Sequence, residues 1–135
     1  MFYICDDKQK IAPESVRHLI QQTYWASNRS LDTVAASIEN SVCFGAFDSD
    51  TDELVGFARV VSDFCTCFYL CDVIVDQQHR GNGIGKALVN AITSDKRFDA
   101  LEGLLITRDA HGLYSQYGFN SKEGIFMGRG LNSSL

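Results

Sequence analysis

Three glycines fall within five residues of the segment VDQQHRGNGIGKALVNAI (residues 75–92), which lies between a strand-like run and a helix-like run. Glycine adopts positive φ angles without a steric penalty, so its N–H group can point toward a bound anion. The N-terminus of a helix adds unsatisfied N–H groups and roughly half a positive elementary charge. The segment therefore predicts a phosphate site formed mainly by the backbone.

Two common phosphate-binding patterns do not fit this segment. The P-loop pattern G-x-x-x-x-G-K-[ST] fails because Arg80 stands at its first glycine and Ala87 at its hydroxyl position. The dinucleotide pattern G-x-G-x-x-G is met by Gly81 and Gly83, but Lys86 stands at its third glycine. A dinucleotide-binding oxidoreductase is therefore the least favoured of the three functions considered for this chain.

A third pattern, [RQ]-x-x-G-x-[GA], is met by Gln78, Gly81 and Gly83. With these residues the chain resembles the GNAT superfamily of acyl-CoA N-acyltransferases, whose acetyl-CoA loop opens a helix. The segment DAHGLYSQYGF (residues 109–119) is similar to the family's short helix, which carries a tyrosine four residues before Gly-Phe. The resemblance covers roughly residues 13–119. It implies an α/β (α+β) fold with a mixed, mostly antiparallel central sheet, helices on both faces, and a splayed strand pair that holds acyl-CoA.

The resemblance also implies which residues hold the acyl donor, acetyl-CoA. The strand before the loop would bind the pantetheine arm through free backbone groups, and the loop would bind the diphosphate through its amides. The alternative is a glycine-rich helix entry without a ligand. The candidate coenzyme-binding residues are Val73, Ile74, Val75, Gln78, Arg80, Gly81, Asn82, Gly83, Ile84, Gly85 and Lys86, of which Arg80 and Lys86 can add side-chain charge.

Acetyl transfer to an amine requires a neutral amine, a stabilised oxyanion and a protonated thiolate. Tyr114 matches the family's acid tyrosine, with a core tyrosine as the alternative and Tyr117 as the expected core residue. Asp72 lies inside the apolar run YLCDVIV, where burial would make it a better base; a structural carboxylate is an equal alternative. His111 is a second candidate base, although a surface or capping role would also explain it. We expect Asp109 to cap the short helix.

The segment TYWASNRS (residues 23–30) joins two predicted helices, and the resemblance places it over the acceptor. Arg29 could pair with an acceptor carboxylate, and Trp25 could cover an apolar or cationic group. The alternatives are a solvated Arg29 and a Trp25 that fastens the helices to the sheet. Arg59 and Asp63 allow the same two interpretations.

The chain departs from the family pattern in two places. Thr107 stands where the family often has an asparagine, which leaves one coenzyme contact open. The C-terminal segment is short, so part of the acceptor wall must come from elsewhere, for example from a second subunit of a homodimer. The leading interpretation is an N-acetyltransferase that moves an acetyl group to the primary amine of a small acceptor by direct transfer in a ternary complex. The alternative is a non-catalytic acyl-CoA-binding or sensing module on the same fold.

Periodicity places these residues on a definite order of elements. Pro13 begins a helix with apolar positions as far as Tyr24, and Ser30 caps a second helix. SVCFGAF and ELVGFARVV form a hairpin around DSDTD, and CFYLCDVIV indicates a central strand covered on both faces. The glycine segment and its helix, the strand LEGLLIT and the short helix follow. FNSKEGIFMGRG then has room only for a small hairpin or ragged ends, which gives a strand as the last element of the order. The predicted sheet is mixed, with antiparallel strands first and a strand–helix–strand crossover later.

The composition is that of an ordinary globular protein, and 135 residues predict one domain over residues 1–135. A net charge of −5 without a basic cluster argues against nucleic-acid binding. No apolar run reaches the ~18 residues of a membrane span, and the N-terminus does not resemble a signal peptide, so we expect a cytoplasmic protein. Five cysteines without a C-x-x-C motif predict small buried thiols, with a nucleophile as the minor alternative. The three histidines are too scattered to predict a metal site.

Overall fold

The computed structural model describes residues 1–130. These residues form five strands and four α-helices, together with three short 3₁₀ turns at Lys8–Lys10, Gln77–His79 and Lys96–Phe98. The elements are β1 (Phe2–Cys5), α1 (Pro13–Ile20), α2 (Leu31–Glu39), β2 (Val42–Asp48), β3 (Leu54–Ser62), β4 (Cys67–Val75), α3 (Ile84–Thr93), β5 (Glu102–Leu105) and α4 (His111–Ser115).

The strands form one sheet in the order β1-β2-β3-β4-β5. Neighbouring strands are antiparallel except β4 and β5, which are parallel and joined by the α3 crossover. The pairing between β4 and β5 ends at Leu70 opposite Leu105, whereas β4 continues to Val75. The two strands therefore separate at their C-terminal ends, and the prediction of a mixed sheet with a splayed strand pair is confirmed.

Apolar side chains cover the two faces of the sheet in two separate clusters. On one side, here called the α3 face, the strands pack against Leu88, Val89 and Ile92 of α3. On the other side, here called the α1–α2 face, Val16, Leu19 and Ile20 of α1 and Val34 and Ile38 of α2 pack against Phe57 and Ile74. The helices thus lie on both faces of the sheet, as the sequence predicts.

Asp72 interrupts the regular alternation of β4. Phe57 lies opposite Ile74 and Arg59 lies opposite Cys71, so one residue of β3 faces two residues of β4. This is a β-bulge, and Asp72 has a φ of 52°, a left-handed conformation that aspartate tolerates better than most residues. Leu70 accordingly packs in the α3-face cluster while Ile74, four residues later, packs in the opposite one. In an uninterrupted strand these two side chains would share a face.

Two helix starts agree with the sequence. Ser30 caps α2, and its hydroxyl accepts a hydrogen bond from the Thr33 N–H at 3.2 Å. Gly83 caps α3 with a φ of 79° and has no side chain to accept such a bond. One amide of the first turn of α2 therefore has a side-chain acceptor, whereas the first-turn amides of α3 have none among the described residues.

Several sequence expectations are wrong or incomplete. Strand β1 was not expected, and residues 119–130 contain no strand among the described residues. Helix α1 ends at Ile20, before Tyr24, and β4 is not covered on both faces, because Tyr69 is 37% exposed. Ala110, rather than Asp109, stands at the N-cap of α4. Within residues 1–130, no helix combines the length and apolar character that a membrane span needs.

Candidate active site

The loop between β4 and α3 presents a row of backbone N–H groups. Gly81 and Gly83 have φ angles of 84° and 79°, and α3 forms its first hydrogen bond from the Ala87 N–H to the Gly83 carbonyl. The amides from Gly81 to Lys86 donate to no acceptor among the described residues. A Cβ atom placed on Gly81 or Gly83 would meet nothing within 4 Å, so the space beside these amides is open. The loop thus fits the diphosphate of an acyl-CoA.

The side chains of the loop have different surroundings. Ile84 is buried at 3% exposure, so only its backbone can contact a ligand. The Asn82 side chain is engaged locally, because its Nδ2 donates to the His79 carbonyl at 2.9 Å. Gln78, Arg80 and Lys86 are exposed beside the loop. The exposed cations can supply positive charge near the amides, whereas Asn82 supports the shape of the loop.

Asp76 anchors the loop to the end of α1. Gln22 donates from Nε2 to Asp76 at 2.9 Å and accepts from the Gln77 N–H at 3.1 Å. His79 contacts the other Asp76 oxygen at 2.8 Å. Hydrogen bonds from Gln22 and His79 hold the pKa of Asp76 below its usual value. Gln22 and Asp76 lie 54 residues apart, so no sequence pattern linked them.

The end of β4 lies next to this loop and next to α4. Beyond Leu70 the side of β4 that faced β5 has no partner strand, and this segment includes the predicted pantetheine-binding residues Val73, Ile74 and Val75. A Cβ on Gly85 would lie 3.8 Å from Val75 and 3.9 Å from Leu113 of α4. The structure therefore brings both sequence motifs and the splayed strand together.

Tyr114 points from α4 into the α3-face cluster. Its side chain is 9% exposed, and its hydroxyl donates to no acceptor among the described residues. Burial, with a contribution from the Asp109 carboxylate, raises the pKa of Tyr114 to about 12. The hydroxyl is therefore protonated at neutral pH and is available as a donor. Tyr117, the expected core tyrosine, is only partly buried and donates to the Lys86 carbonyl at 3.2 Å.

The remaining α4 candidates lie at the surface or in the preceding loop. His111 is exposed at the first residue of α4 and has no hydrogen-bond partner among the described side chains. Thr107 accepts a hydrogen bond from the Ala110 N–H at 3.0 Å, so its hydroxyl shapes the loop that leads into α4. This bond takes the place of the cap that was expected from Asp109.

Asp72 forms a buried ion cluster on the α1–α2 face. One oxygen, Oδ2, accepts from Arg29 Nη1 at 2.7 Å and from Arg59 Nε at 2.9 Å. Arg59 also donates from Nη1 to the Ser41 hydroxyl at 3.0 Å. The Asp72 side chain is 4% exposed, and those of Arg29 and Arg59 are 23% and 16% exposed. Since the arginines lie 43 and 13 residues from Asp72, sequence patterns gave no sign of this cluster.

The α1–α2 junction (residues 21–30) lies over the splayed end of β4. It is fixed at Gln22 through Asp76 and at Arg29 through Asp72. Trp25 packs against the α1–α2 core cluster and meets the ring of Tyr24 edge-on at 5.1 Å. Tyr24 in turn lies 5.8 Å from the guanidinium of Arg108, in the loop after β5. Trp25 therefore fastens the junction to the sheet, and Arg29 is paired rather than solvated.

The cysteines are free thiols in different surroundings. Cys43 is buried, Cys65 is exposed, and the other three are intermediate, so the expectation of uniformly buried thiols is wrong for Cys65. Burial raises the pKa of Cys43 to about 11 and that of Cys71 to about 12. Thiols with such values are protonated at neutral pH, which disfavours a role as nucleophile.

The family model for the acetyltransferase (GNAT) domain matches residues 39–121, from the end of α2 to just beyond α4. This chain belongs to the GNAT family of acetyltransferases. Its glycine loop, splayed strand pair and α4 all lie inside the matched region. The predicted family membership is therefore confirmed.

This GNAT chain is similar to several solved structures and to a curated relative. A GNAT-family protein from Xanthomonas campestris pv. campestris is 36% identical, has a TM-score of 0.88, and is matched over 96% of this chain and 92% of its own. A Staphylococcus aureus protein of unknown function shares the fold, with a TM-score of 0.82, 21% identity and coverage of 98% and 99%. A Gibberella zeae protein is 24% identical over 69% of this chain, but the match spans only 63% of its own length.

Proposed function

We propose that this GNAT protein is an N-acetyltransferase that moves the acetyl group of acetyl-CoA to the primary amine of a small acceptor. The transfer is direct, within a complex that holds both substrates. The observation that carries the proposal is the run of unpartnered amides from Gly81 to Lys86, which opens onto free space beside the splayed end of β4. Such a site suits an extended ligand with a diphosphate at one end and an acyl thioester at the other.

The backbone supplies most of the coenzyme affinity in this proposal. The chain has a net charge of −5, so an anion of high charge has to be bound by local groups. The free amides at the start of α3 provide oriented donors, and Arg80 and Lys86 add positive charge beside them. The unpaired edge of β4 over residues 73–75 binds the amide groups of the pantetheine arm.

Tyr114 acts as the proton donor. The acceptor nitrogen forms a bond to the thioester carbonyl carbon, the C–S bond breaks, and the Tyr114 hydroxyl gives its proton to the departing sulfur. The proton lost by the acceptor nitrogen passes to a base or to water, and the tyrosinate regains a proton from solvent. Because the pKa of Tyr114 is raised to about 12, the donor form is fully populated throughout the neutral range.

Asp72 serves to position the two arginines rather than as the general base. Its carboxylate is only 4% exposed and bonds both Arg29 and Arg59, so an acceptor amine has little access to it. His111 is the better candidate base, since it is exposed at the start of the helix that carries Tyr114.

Calorimetry with CoA, combined with a screen of amines that follows free thiol release, tests the proposal. We expect wild-type protein to bind CoA and to acetylate at least one small primary amine. Gly83→Asp should weaken CoA binding about 100-fold through like-charge repulsion at the diphosphate. Gly83→Asn is the matched control, because it has the same size without the charge and should weaken binding much less.

Two outcomes would contradict this function. Equal CoA affinity of wild type and Gly83→Asp would show that the loop is not the diphosphate site. Tight CoA binding without turnover of any amine would instead indicate a binding or sensing module.

A further inference from the structure

The α1–α2 face of the sheet is covered by helices at only one end. At the other end Val61, Tyr69 and Leu104 lie side by side on β3, β4 and β5, since Val61 is in register with Tyr69 and Tyr69 with Leu104. Residues in register point to the same face of a sheet. They are 42%, 37% and 55% exposed, and together they form what we call the apolar row. Adjacent exposed apolar side chains of this kind offer a surface that an apolar group of a ligand can cover.

The ion cluster lies directly beside the apolar row. Arg59 is two residues before Val61 on β3, and its partner in register, Cys71, is two residues after Tyr69 on β4. The cluster contains two guanidinium groups and one carboxylate, so it keeps one positive charge in excess. A monoanionic group would balance that charge.

The arginines retain unused donors. Each guanidinium has five N–H donors, and the protein uses Nη1 of Arg29 and Nε and Nη1 of Arg59. Among the described residues, every nitrogen of Arg29 and Arg59 that lacks a hydrogen-bond partner is accessible to solvent. The remaining donors can therefore be reached by a ligand, in the forked geometry that suits a carboxylate.

The apolar row and the ion cluster border the opening between β4 and β5. Pairing of these strands ends at Leu70 and Leu105, each one residue beyond the apolar row. A thioester held along the free edge of β4 would lie in this opening. A molecule on the row with its anionic group at the arginines would thus place a nearby amine next to the acyl group.

We propose that the acceptor is an α-amino acid with an apolar or aromatic side chain. Arg29 and Arg59 bind its carboxylate, and Tyr69 and Leu104 contact its side chain, while Asp72 positions both arginines. This assignment rests on the proposed N-acetyltransferase function and adds the class of its acceptor.

A matched set of three amines tests this assignment. L-phenylalanine, L-phenylalaninamide and 2-phenylethylamine share the ring and the primary amine, and only the first carries a carboxylate. We expect kcat/KM, followed by release of free CoA, to be about 10–100-fold higher for L-phenylalanine, as is typical of a charge-assisted hydrogen-bond pair.

Two variants separate the parts of the site. Arg29→Gln should bring kcat/KM for L-phenylalanine down to that for L-phenylalaninamide, without changing the affinity for CoA. Leu104 is exposed, so the Leu104→Ser variant should fold normally. It should lower the ratio of kcat/KM for L-phenylalanine to kcat/KM for glycine, because glycine has no side chain to contact the apolar row. If Arg29→Gln fails to fold, the wild-type preference among the three amines and the Leu104→Ser result still decide the question.

The outcomes distinguish this inference from the function on which it rests. If 2-phenylethylamine or spermidine is acetylated as fast as L-phenylalanine or faster, the amino-acid assignment is wrong, but the N-acetyltransferase function is retained. CoA binding with no acetylation of any amine overturns both.

Discussion

The α3 face and the α1–α2 face of the sheet are built from different kinds of groups. The α3-face cluster is apolar apart from the hydroxyl of Tyr114. The buried polar residues of the described chain, Thr23, Ser41 and Asp72, lie instead in the α1–α2 junction or in contact with the ion cluster. The α3 face supports the glycine loop, whose free backbone amides are the proposed coenzyme donors, whereas the α1–α2 face presents charged side chains.

In the proposed function, the α3 face binds the coenzyme and the α1–α2 face recognises the acceptor. Every residue except proline has a backbone N–H group, so a loop that binds through its backbone needs mainly glycines at the positions where its φ angles are positive. The proposed acceptor site instead uses side-chain charges that are held in place by partners far away in sequence. The four predictions below test whether the two faces have these separate roles.

The largest effect is expected on the α1–α2 face, from Asp72→Asn. Asparagine tolerates the left-handed conformation at this position but removes the charge that holds Arg29 and Arg59 together. We expect the free energy of unfolding to fall by about 3 kcal/mol, as measured by urea denaturation. Asp6→Asn is the matched control, since it removes an exposed partner of Arg97 and should cost less than about 1 kcal/mol. Similar losses in the two variants would refute the structural role of the cluster.

On the α3 face, Tyr114→Phe should slow the chemical step strongly while leaving coenzyme binding intact. Loss of the proton donor is expected to lower kcat about 100-fold, whereas the Kd for CoA stays unchanged because the ring still packs in the core. Steady-state kinetics and calorimetry measure the two quantities. Tyr117→Phe is the control: it removes one hydrogen bond to the Lys86 carbonyl and should change kcat less than about threefold. If the Tyr114→Phe variant has the kcat of wild type, Tyr114 is not the proton donor and serves only in the core.

Because Tyr114 is buried on the α3 face, the free energy of unfolding of the protein should fall in alkaline solution. Tyr114 has a normal pKa of 10.0 when unfolded and about 12 when folded, so the native state retains the proton more tightly. The contribution of this shift to the free energy of unfolding is complete below pH 10 and is lost as the pH rises toward 12. At pH 11 about 1 kcal/mol of it is lost. Chemical denaturation at pH 9 and pH 11 should show a smaller drop for Tyr114→Phe than for wild type. Equal drops would mean that the phenol is not desolvated.

The smallest effect concerns the two helix starts. Ser30→Ala removes the side-chain cap of α2 and should lower the free energy of unfolding by about 1 kcal/mol, whereas Ser30→Gly should lower it by only a few tenths. Neither variant should alter CoA affinity, because the coenzyme loop is at the start of α3. A change in CoA affinity in either variant would show that the faces are not independent.

The sequence predicted the coenzyme side of the molecule well. The run from Cys67 to Val75 was expected to be a strand, and the structure assigns β4 to the same residues. Ser30 and Gly83 were expected at helix starts, and both are N-caps. These features depend on neighbours within a few residues, which a sequence pattern contains. The catalytic and binding roles assigned to the site residues remain predictions.

The acceptor side could not be predicted in the same way. Nothing near Asp72 in sequence indicates its left-handed backbone or its two arginine partners, because both arise when distant segments meet. Strand β1 was missed because a run of only four residues gains its stability from pairing with β2 rather than from its own pattern. A final strand or hairpin was expected after Gly118, yet Ile125, Phe126 and Met127 are exposed and the described residues 119–130 contain no strand.

The two anchors of the α1–α2 junction have a thermodynamic consequence. Asp72 and Asp76 stand on either side of residues 73–75 and hold Arg29 and Gln22, so the eight residues from 22 to 29 are already restrained in the free protein. A segment that is ordered before its ligands arrive loses little conformational entropy when they bind. Acceptor association should therefore show a small entropic penalty, and glycine substitutions within residues 24–28 should weaken it chiefly by restoring that lost freedom.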